Sequence, residues 1–539
     1  MEPPSKCDEK ITTHGAHVSH DDGDDNLQQT AHTHTASPSP ASNGTSAPSP
    51  LAAFPDSDPA KNAEKKSRQE AIPTSDKGNR CRPWYLYAAI DGVENVEKYR
   101  PGGLLPISLG DGLHRGRYIV LQKLGHGGSS TIWLAHDPDK ELVTLKAMCA
   151  DESQQDPSQI PDWVIPRRLQ SLYPHTDYFR TPSRYFYESS QNGNHLVLVY
   201  PLAGPNVASL YALPTNHYWQ PPKPAGSRRF RIDLARKVAK ETAMGLYQMH
   251  SAGIVHGGEY YLYEYVVNSK PPLADLTTSN ILVRTAPSVL EWSDAEVKAR
   301  FGEPVTDKVK LLQGGSHGAH APPLLYEPIP ILKFSDASLL QEHTIIHDFG
   351  KSYLAAAPPA DYRPGTIINY TPPEMFFDGR CAPAADIWML ACLIHEVRTG
   401  LPLFDLAWST HDGDLVMHMV ETLGRLPEPW WAAFAHREEW FYDDGRVRSE
   451  EEQMRAPGIG AGRFELAVAE PLHAKLRKTG THGPSGVDEG PMCEPPGVRM
   501  EEDEVELLGD LLGKMLRYKP EERITIEEVI EHPWFSYRP

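Results

Sequence analysis

RYIVLQKLGHGGSSTIWLAHDPDKELVTLKAM, residues 117–148, holds three β-rich runs separated by turn signals. The first turn, Leu124-Gly125-His126-Gly127-Gly128-Ser129-Ser130-Thr131-Ile132, is rich in glycine. Glycines let a backbone approach phosphate oxygens closely and present N–H donors to them. A G-x-G alone marks any hairpin, so its neighbours decide. Lys146 lies on the next predicted strand. A lysine pointing inward from a strand is costly unless an anion meets it, and a phosphate would be that anion. The competing reading is an edge-strand lysine in water.

Working outward, HLVLVY (195–200) is a short apolar run that reads as a buried strand. After Arg228 the period changes. In RIDLARKVAKETAMGLYQMH (231–250), Ile232, Ala235, Val238, Ala239, Ala243, Leu246 and Met249 recur near 3.6 residues. Further helices are expected around Ala384–Thr399, Leu415–Leu423, Glu504–Leu516 and Ile526–His532. A strand-rich half followed by a helical half suits an enzyme with a cleft between them. Residues 444–500, rich in Gly, Pro and charge, read as a long surface loop.

Residues 1–80 carry few large apolar side chains and cannot offset their ordering entropy, so a disordered tail is expected. His14, His17, His20, His32 and His34 fall in this low-complexity tail and read as flexible chain rather than a metal site. Lys61–Arg68 has the composition of a nuclear import signal. Order is expected from about Cys81. Six cysteines without metal or disulfide spacing, no apolar signal core and no membrane-length apolar run point to a reducing compartment, cytoplasm or nucleus. The formal net charge is −19. Residues 1–80 hold 12 acidic and 8 basic residues, so most of the charge lies beyond them. That balance argues against direct nucleic-acid binding and suits a basic protein partner or a solubilising surface.

Two motifs place a carboxylate at the end of an apolar stretch: Asp275-Leu276-Thr277-Thr278-Ser279-Asn280-Ile281-Leu282 and Ile345-Ile346-His347-Asp348-Phe349-Gly350. Asp275 is suited to accept a proton from a hydroxyl. Asn280 and Asp348 offer hard oxygens to magnesium. Either motif alone reads as a capping aspartate; in order behind a glycine-rich turn and Lys146, they read as one constellation.

The constellation resembles the eukaryotic protein kinase family from about Tyr99 to the end of the chain. The resemblance implies an α+β, two-lobed protein kinase fold. Residues 81–203 would form a β-rich N-lobe with an N-terminal extension. Residues 204–539 would form a helical C-lobe with inserts at 258–274, 284–343 and 444–500. It implies ATP held by Leu124, Gly125, Gly127, Gly128, Ser130, Ile132 and Lys146, with Tyr200 as gatekeeper and Pro201, Leu202 and Ala203 as hinge. It implies Asp275 as catalytic aspartate, Thr366 as its contact in the activation segment, and Asn280 and Asp348 as Mg2+ ligands. Glu374 in Pro372-Pro373-Glu374 would pair with Arg523, and Asp386 would brace the catalytic loop. The stretches EKYRPGGLLPISLGDGL (97–113), HEVRTGLPLF (395–404) and the insert at 284–343 are similar to the serine/arginine-rich protein kinases of filamentous fungi. That likeness implies a monomer phosphorylating basic Arg/Ser-rich splicing-factor substrates, active without activation-segment phosphorylation.

Three departures stand out. Asp162 occupies the place of a helix glutamate that pairs with the strand lysine, and Pro166 is expected to disturb that helix. Thr277 stands where most such kinases carry lysine. Most severely, GEYYLYEYVVNSKPPLA, residues 258–274, separates His256-Gly257 from Asp275. Gly258-Glu259-Tyr260 can be encoded with a splice donor GTGAGT, and Ala274-Asp275 with an acceptor CAG; excision restores His-Gly-Asp. A retained intron explains the insertion better than a functional loop. The alternative function is a nucleotide-binding scaffold without turnover, its catalytic loop broken by the insert.

Overall fold

The computed structural model describes residues 84–154, 156–211, 229–257, 276–357, 368–379, 382–406, 412–456, 465–481, 491–495 and 497–538. The expected disordered tail lies outside them. Five strands form one antiparallel sheet in the order β1-β2-β3-β5-β4: β1 Tyr118–His126, β2 Ser130–His136, β3 Leu142–Met148, β4 Arg184–Ser190 and β5 Gly193–Pro201. Alternation of Tyr118, Val120, Trp133, Ala135, Val143, Leu145, Val197 and Val199 builds one buried face of this sheet. Lys146 sits opposite Ile132 on β2 and Leu198 on β5. A lysine in a central strand cannot escape to solvent at an edge, which removes the competing reading.

Helix α1, Pro161–Leu172, meets the sheet through Trp163, which packs against the cluster of Met148, Leu196, Leu198 and Tyr200. Pro161 opens its first turn, where the missing N–H costs nothing. Contrary to expectation, the helix runs through Pro166. Proline removes one i→i−4 bond, while the ring joins Ile165 and Leu169 in a buried stripe. That burial offsets the loss.

The helical half centres on α2, Ile232–Ser251, and α4, Pro383–Thr399, with the short α3, Pro373–Phe377, between them in sequence. Every α4 residue from Ala385 to Thr399 is buried, so this helix is the axis of the core. Gly400, in the left-handed region at φ 76°, ends it. Ala235, Ala239 and Ala243 keep the buried face of α2 slim. Gly245 is required there: a Cβ would lie 2.6 Å from Ile346 Cδ1.

The stretch 444–500 is not a surface loop throughout. It contains helices Glu450–Met454 and Leu472–Arg477. Leu472 and Leu476, at i,i+4 spacing, join the main core with Met492 and Met500. The Gly/Pro-rich composition hides two apolar anchors too short to show a period.

The insert 284–343 is folded as well. Residues Asp294–Phe301 form a helix with a Ser293–Glu296 capping box. Thr306–Lys308 and Leu324–Tyr326 pair as a hairpin. Its Val289, Val297, Phe301, Ile329, Phe334 and Leu339 pack on Leu134, Leu142 and Leu202 of the first lobe. Farther along, Val309, Ala321 and Leu325 meet Tyr85, Val96, Tyr99 and Leu104 of the N-terminal extension. A chain segment inserted in the second lobe therefore covers the first.

Arg523 ties the last part of the chain to α3 and α4. Its guanidinium donates to both Glu374 carboxylate oxygens, at 2.7 and 2.6 Å, and to the Ala384 carbonyl at 2.7 Å. It also lies over the Trp388 ring. Both partners are nearly solvent-free, 0% and 5% exposed along their side chains. Removing one partner of such a pair leaves a buried charge unmatched. Arg523→Met is expected to lower stability by about 3–5 kcal/mol, seen as a shifted denaturation midpoint; an unchanged midpoint would refute the structural role.

Candidate active site

Strand β3 presents Lys146 to two carboxylates from distant parts of the chain. Its ammonium donates to Asp162 Oδ2 at 2.8 Å and to Asp348 Oδ1 at 3.2 Å. The shorter aspartate thus reaches the lysine despite the proline behind it. Asp162 holds a second group: its Oδ1 accepts the Phe349 N–H at 3.1 Å. A Cβ on Gly350 would stand 3.2 Å from Asp162 Oδ2, so glycine leaves that carboxylate room.

Burial alone would depress the Lys146 pKa, but Asp162 and Asp348 outweigh it and hold the lysine charged, well above its usual range. Burial raises the Asp162 carboxyl, with Lys146 opposing and Asp348 reinforcing. For Asp348, burial pushes upward but Lys146 prevails and keeps it below the ordinary value. The site thus holds a cation beside a carboxylate kept ionised. Asp348 adopts φ 62°, in the left-handed region that ordinary side chains avoid. Such strain persists where surroundings impose it. Here Phe349 is fixed by Asp162 and packs edge-on against Phe179 at 6.1 Å.

Asn280 and Asp348 flank adjacent ends of a two-stranded antiparallel sheet. Strand β6, Ile281–Thr285, pairs with β7, Leu340–Ile346, with Ile281 opposite Ile346. The His347 N–H donates to the Asn280 carbonyl at 3.0 Å. Among the described residues no cluster of three His, Cys, Asp or Glu side chains forms a metal cage. Asn280 and Asp348 nevertheless fit magnesium, which takes few protein oxygens and fills its octahedron with phosphate and water.

The catalytic-loop segment is anchored on both sides of the insertion. Asp386, fully buried, accepts the His256 N–H at 3.0 Å and lies 3.0 Å from His250 Nε2. The Ser352 hydroxyl donates to the His256 carbonyl at 2.8 Å. On the far side, Thr278 donates to Glu396 Oε1 at 3.0 Å, and the Tyr370 hydroxyl donates to Glu396 Oε2 at 2.5 Å. The Thr277 hydroxyl is buried with no partner among the described residues. Residues 258–275, with Asp275, and 358–367, with Thr366, lie outside the described residues.

At the other end of the cleft, the Gly127 N–H donates to the Ser130 carbonyl at 2.8 Å and closes the glycine turn. Lys98 of the extension reaches over to donate to the Gly128 carbonyl at 2.5 Å. Ser130 is buried and Ile132 lies on β2 opposite Lys146. Tyr200 is buried at the end of β5, its ring beneath the Arg180 guanidinium at 4.9 Å. Leu124 and Leu202 pack with the insert, and Thr285 donates to the Leu202 carbonyl at 3.1 Å. Ala203 and Pro201 complete that connecting strap.

Sequence reasoning did not find Lys98, Thr278, Tyr370 or Glu396. Glu396 carried a signal: an acid embedded in the apolar run of α4, costly there without partners.

Two buried histidines of the second lobe give opposite pH effects. Burial holds His395 down at about 3. The unfolded chain, titrating near 6.5, therefore binds the proton first. Stability is complete above pH 6.5 and falls by about 1.4 kcal/mol per pH unit below it. Burial would also lower His418, but Glu421 and Glu465 outweigh it and raise it to about 9. Its contribution is complete below 6.5 and fades as pH climbs toward 9. Denaturation midpoints of wild type and His395→Gln are expected to converge as pH falls from 7 to 4; parallel curves would contradict this.

The description "Protein kinase domain" fits residues 337–535. That span holds Asp348, Glu374, Asp386 and Arg523 but not the glycine turn or Lys146. The chain is 22% identical over 462 residues to serine/threonine-protein kinase SRPK of Physarum polycephalum, spanning 82% of this chain and 91% of that one. It is 21% identical over 435 residues to protein kinase dsk1 of Schizosaccharomyces pombe, spanning 66% and 75%. Dual specificity protein kinase CLK1 of Mus musculus is 26% identical over 210 residues, 38% of this chain and 35% of that one. The scaffold alternative finds no support in these likenesses.

Proposed function

We propose that this chain, a protein kinase resembling the SR protein kinase group, uses ATP and Mg2+ to phosphorylate serines in basic, Arg/Ser-rich protein segments. The observation that carries the reading is Lys146 held charged between Asp162 and Asp348. Lys146 is placed to bind the α- and β-phosphates, and the glycine turn to cover them with N–H donors. Magnesium, when bound, neutralises charge on the transferring phosphoryl group. Asp348 and Asn280 would hold it. Asp162 orients both Lys146 and the Phe349 backbone, keeping Asp348 in place. Asp275 accepts the hydroxyl proton of the substrate serine.

The formal charge of −19 supports a basic substrate. In this reading the enzyme works as a monomer in the cytoplasm or nucleus. The test measures transfer of labelled γ-phosphate to three serine peptides with arginine, lysine or glutamine neighbours. Preference for the arginine peptide supports the reading. Equal rates on all three would remove the substrate class, and no transfer to any would remove the activity.

A further inference from the structure

Against the connecting strap Pro201–Ala203, the expected nucleotide hinge, lies a cavity of about 220 Å³ whose other walls come from residues given no part in nucleotide binding. Phe179, Leu202, Leu290 and Ile345 give it apolar walls, and Arg180 and Arg284 give it cations. One wall, Pro287–Leu290, is the first helical turn of the insert, so the inserted segment builds the cavity.

Arg180 is the unusual member. Its Nη2 donates to the Pro201 carbonyl at 3.3 Å and its plane lies over Tyr200. Its Nε is buried and has no hydrogen-bond partner. Among the described residues no carboxylate pairs with it, and burial lowers its pKa to about 10. Arg284 is half-exposed; it donates to the Asp177 carbonyl and has only a distant, exposed carboxylate, Asp177, at 3.8 Å. Arg180 is partly buried, and its buried, unpartnered N–H without a counter-charge is costly; two guanidinium groups beside an apolar cavity are the complement of a carboxylate. An apolar cavity of about 150 Å³ accepts a benzene-sized group, so the space holds a ring or short alkyl chain with its acid on the arginines.

We propose that this cavity is a binding site for a small organic carboxylate with an apolar body, its acid group received by Arg180 and Arg284. The site shares Pro201–Ala203 with the expected hinge but contains none of Lys146, Asp162, Asn280 or Asp348, and it stands or falls independently of the phosphotransfer reading.

The experiment uses the full-length chain and fluorine NMR with 4-fluorophenylacetate as probe. Saturable binding with half-saturation below about 1 mM is expected. The neutral 4-fluorophenylacetamide should bind at least about tenfold more weakly, since a charge-assisted fork is lost. Arg180→Met should weaken the acid at least about tenfold, Arg284→Gln severalfold, and Leu290→Trp, which fills the cavity, should abolish binding. Excess ATP should leave the signal in place. The proposal is overturned by absence of saturation up to about 10 mM, by equal binding of acid and amide, or by displacement with ATP. Should Arg180→Met melt abnormally, the acid–amide comparison on the wild-type chain still decides.

Discussion

Asp348→Asn is expected to reduce kcat for phosphoryl transfer by about 10²–10³-fold with little change in melting temperature. Asparagine tolerates the left-handed backbone that Asp348 occupies at φ 62°. It is also the same size, so Phe349 keeps its hydrogen bond to Asp162. What disappears is one negative charge, 3.2 Å from Lys146. In the proposed reading that charge would be the ionised oxygen donor for magnesium, which a neutral amide replaces poorly. A variant that folds normally and turns over at the wild-type rate under saturating ATP and Mg2+ would show that Asp348 is not a metal ligand in the reaction.

Removal of residues 258–274, joining Gly257 to Asp275, is expected to raise phosphotransfer by about 10²-fold relative to the chain as written. The flanks explain the sign. His256 is pinned to Asp386 and Ser352, and Thr278 to Glu396 and Tyr370. Both sides of the break are therefore held by the core, and the shorter connection constrains Asp275 between fixed supports. A displacement of one ångström at a reacting group can cost about 10²-fold. Transcript sequencing gives an independent check: most mature messages should lack codons 258–274. A shortened enzyme that is slower than the full chain would make the insertion part of the machinery.

The strands around the glycine turn and the inward Lys146 were legible because each rests on local period or on a motif of fixed spacing, whereas the ion pair Glu374–Arg523 followed only from the family resemblance. Their order gave a strand-rich half followed by a helical half, and the resemblance gave the two-lobed kinase fold. Other features were not legible because their cause is tertiary. Pro166 argued against a helix, and only burial with Ile165 and Leu169 reverses that preference. The Asp162–Lys146 contact depends on how close α1 sits to β3, which no spacing reveals. Thr278, Tyr370 and Glu396 meet from three separate segments. Lys98 acts on the glycine turn from a stretch that carries no regular period. The packing of 284–343 was hidden by its place between two second-lobe motifs.

That packing changes how the molecule can tolerate variation. A spacer that merely joins β6 to β7 could lengthen, shorten or diverge freely among relatives, because loop closure depends only weakly on length. Residues 284–343 are under a different regime. Loss of Val297, Phe301 or Phe334 would bare Leu134, Leu142 and Leu202, turning a sheet face into a sticky surface. Natural deletions here should therefore be rarer than their position suggests, and compensated by polar replacements on β2 and β3. Drift in this segment is coupled to drift in a lobe more than a hundred residues earlier in the chain.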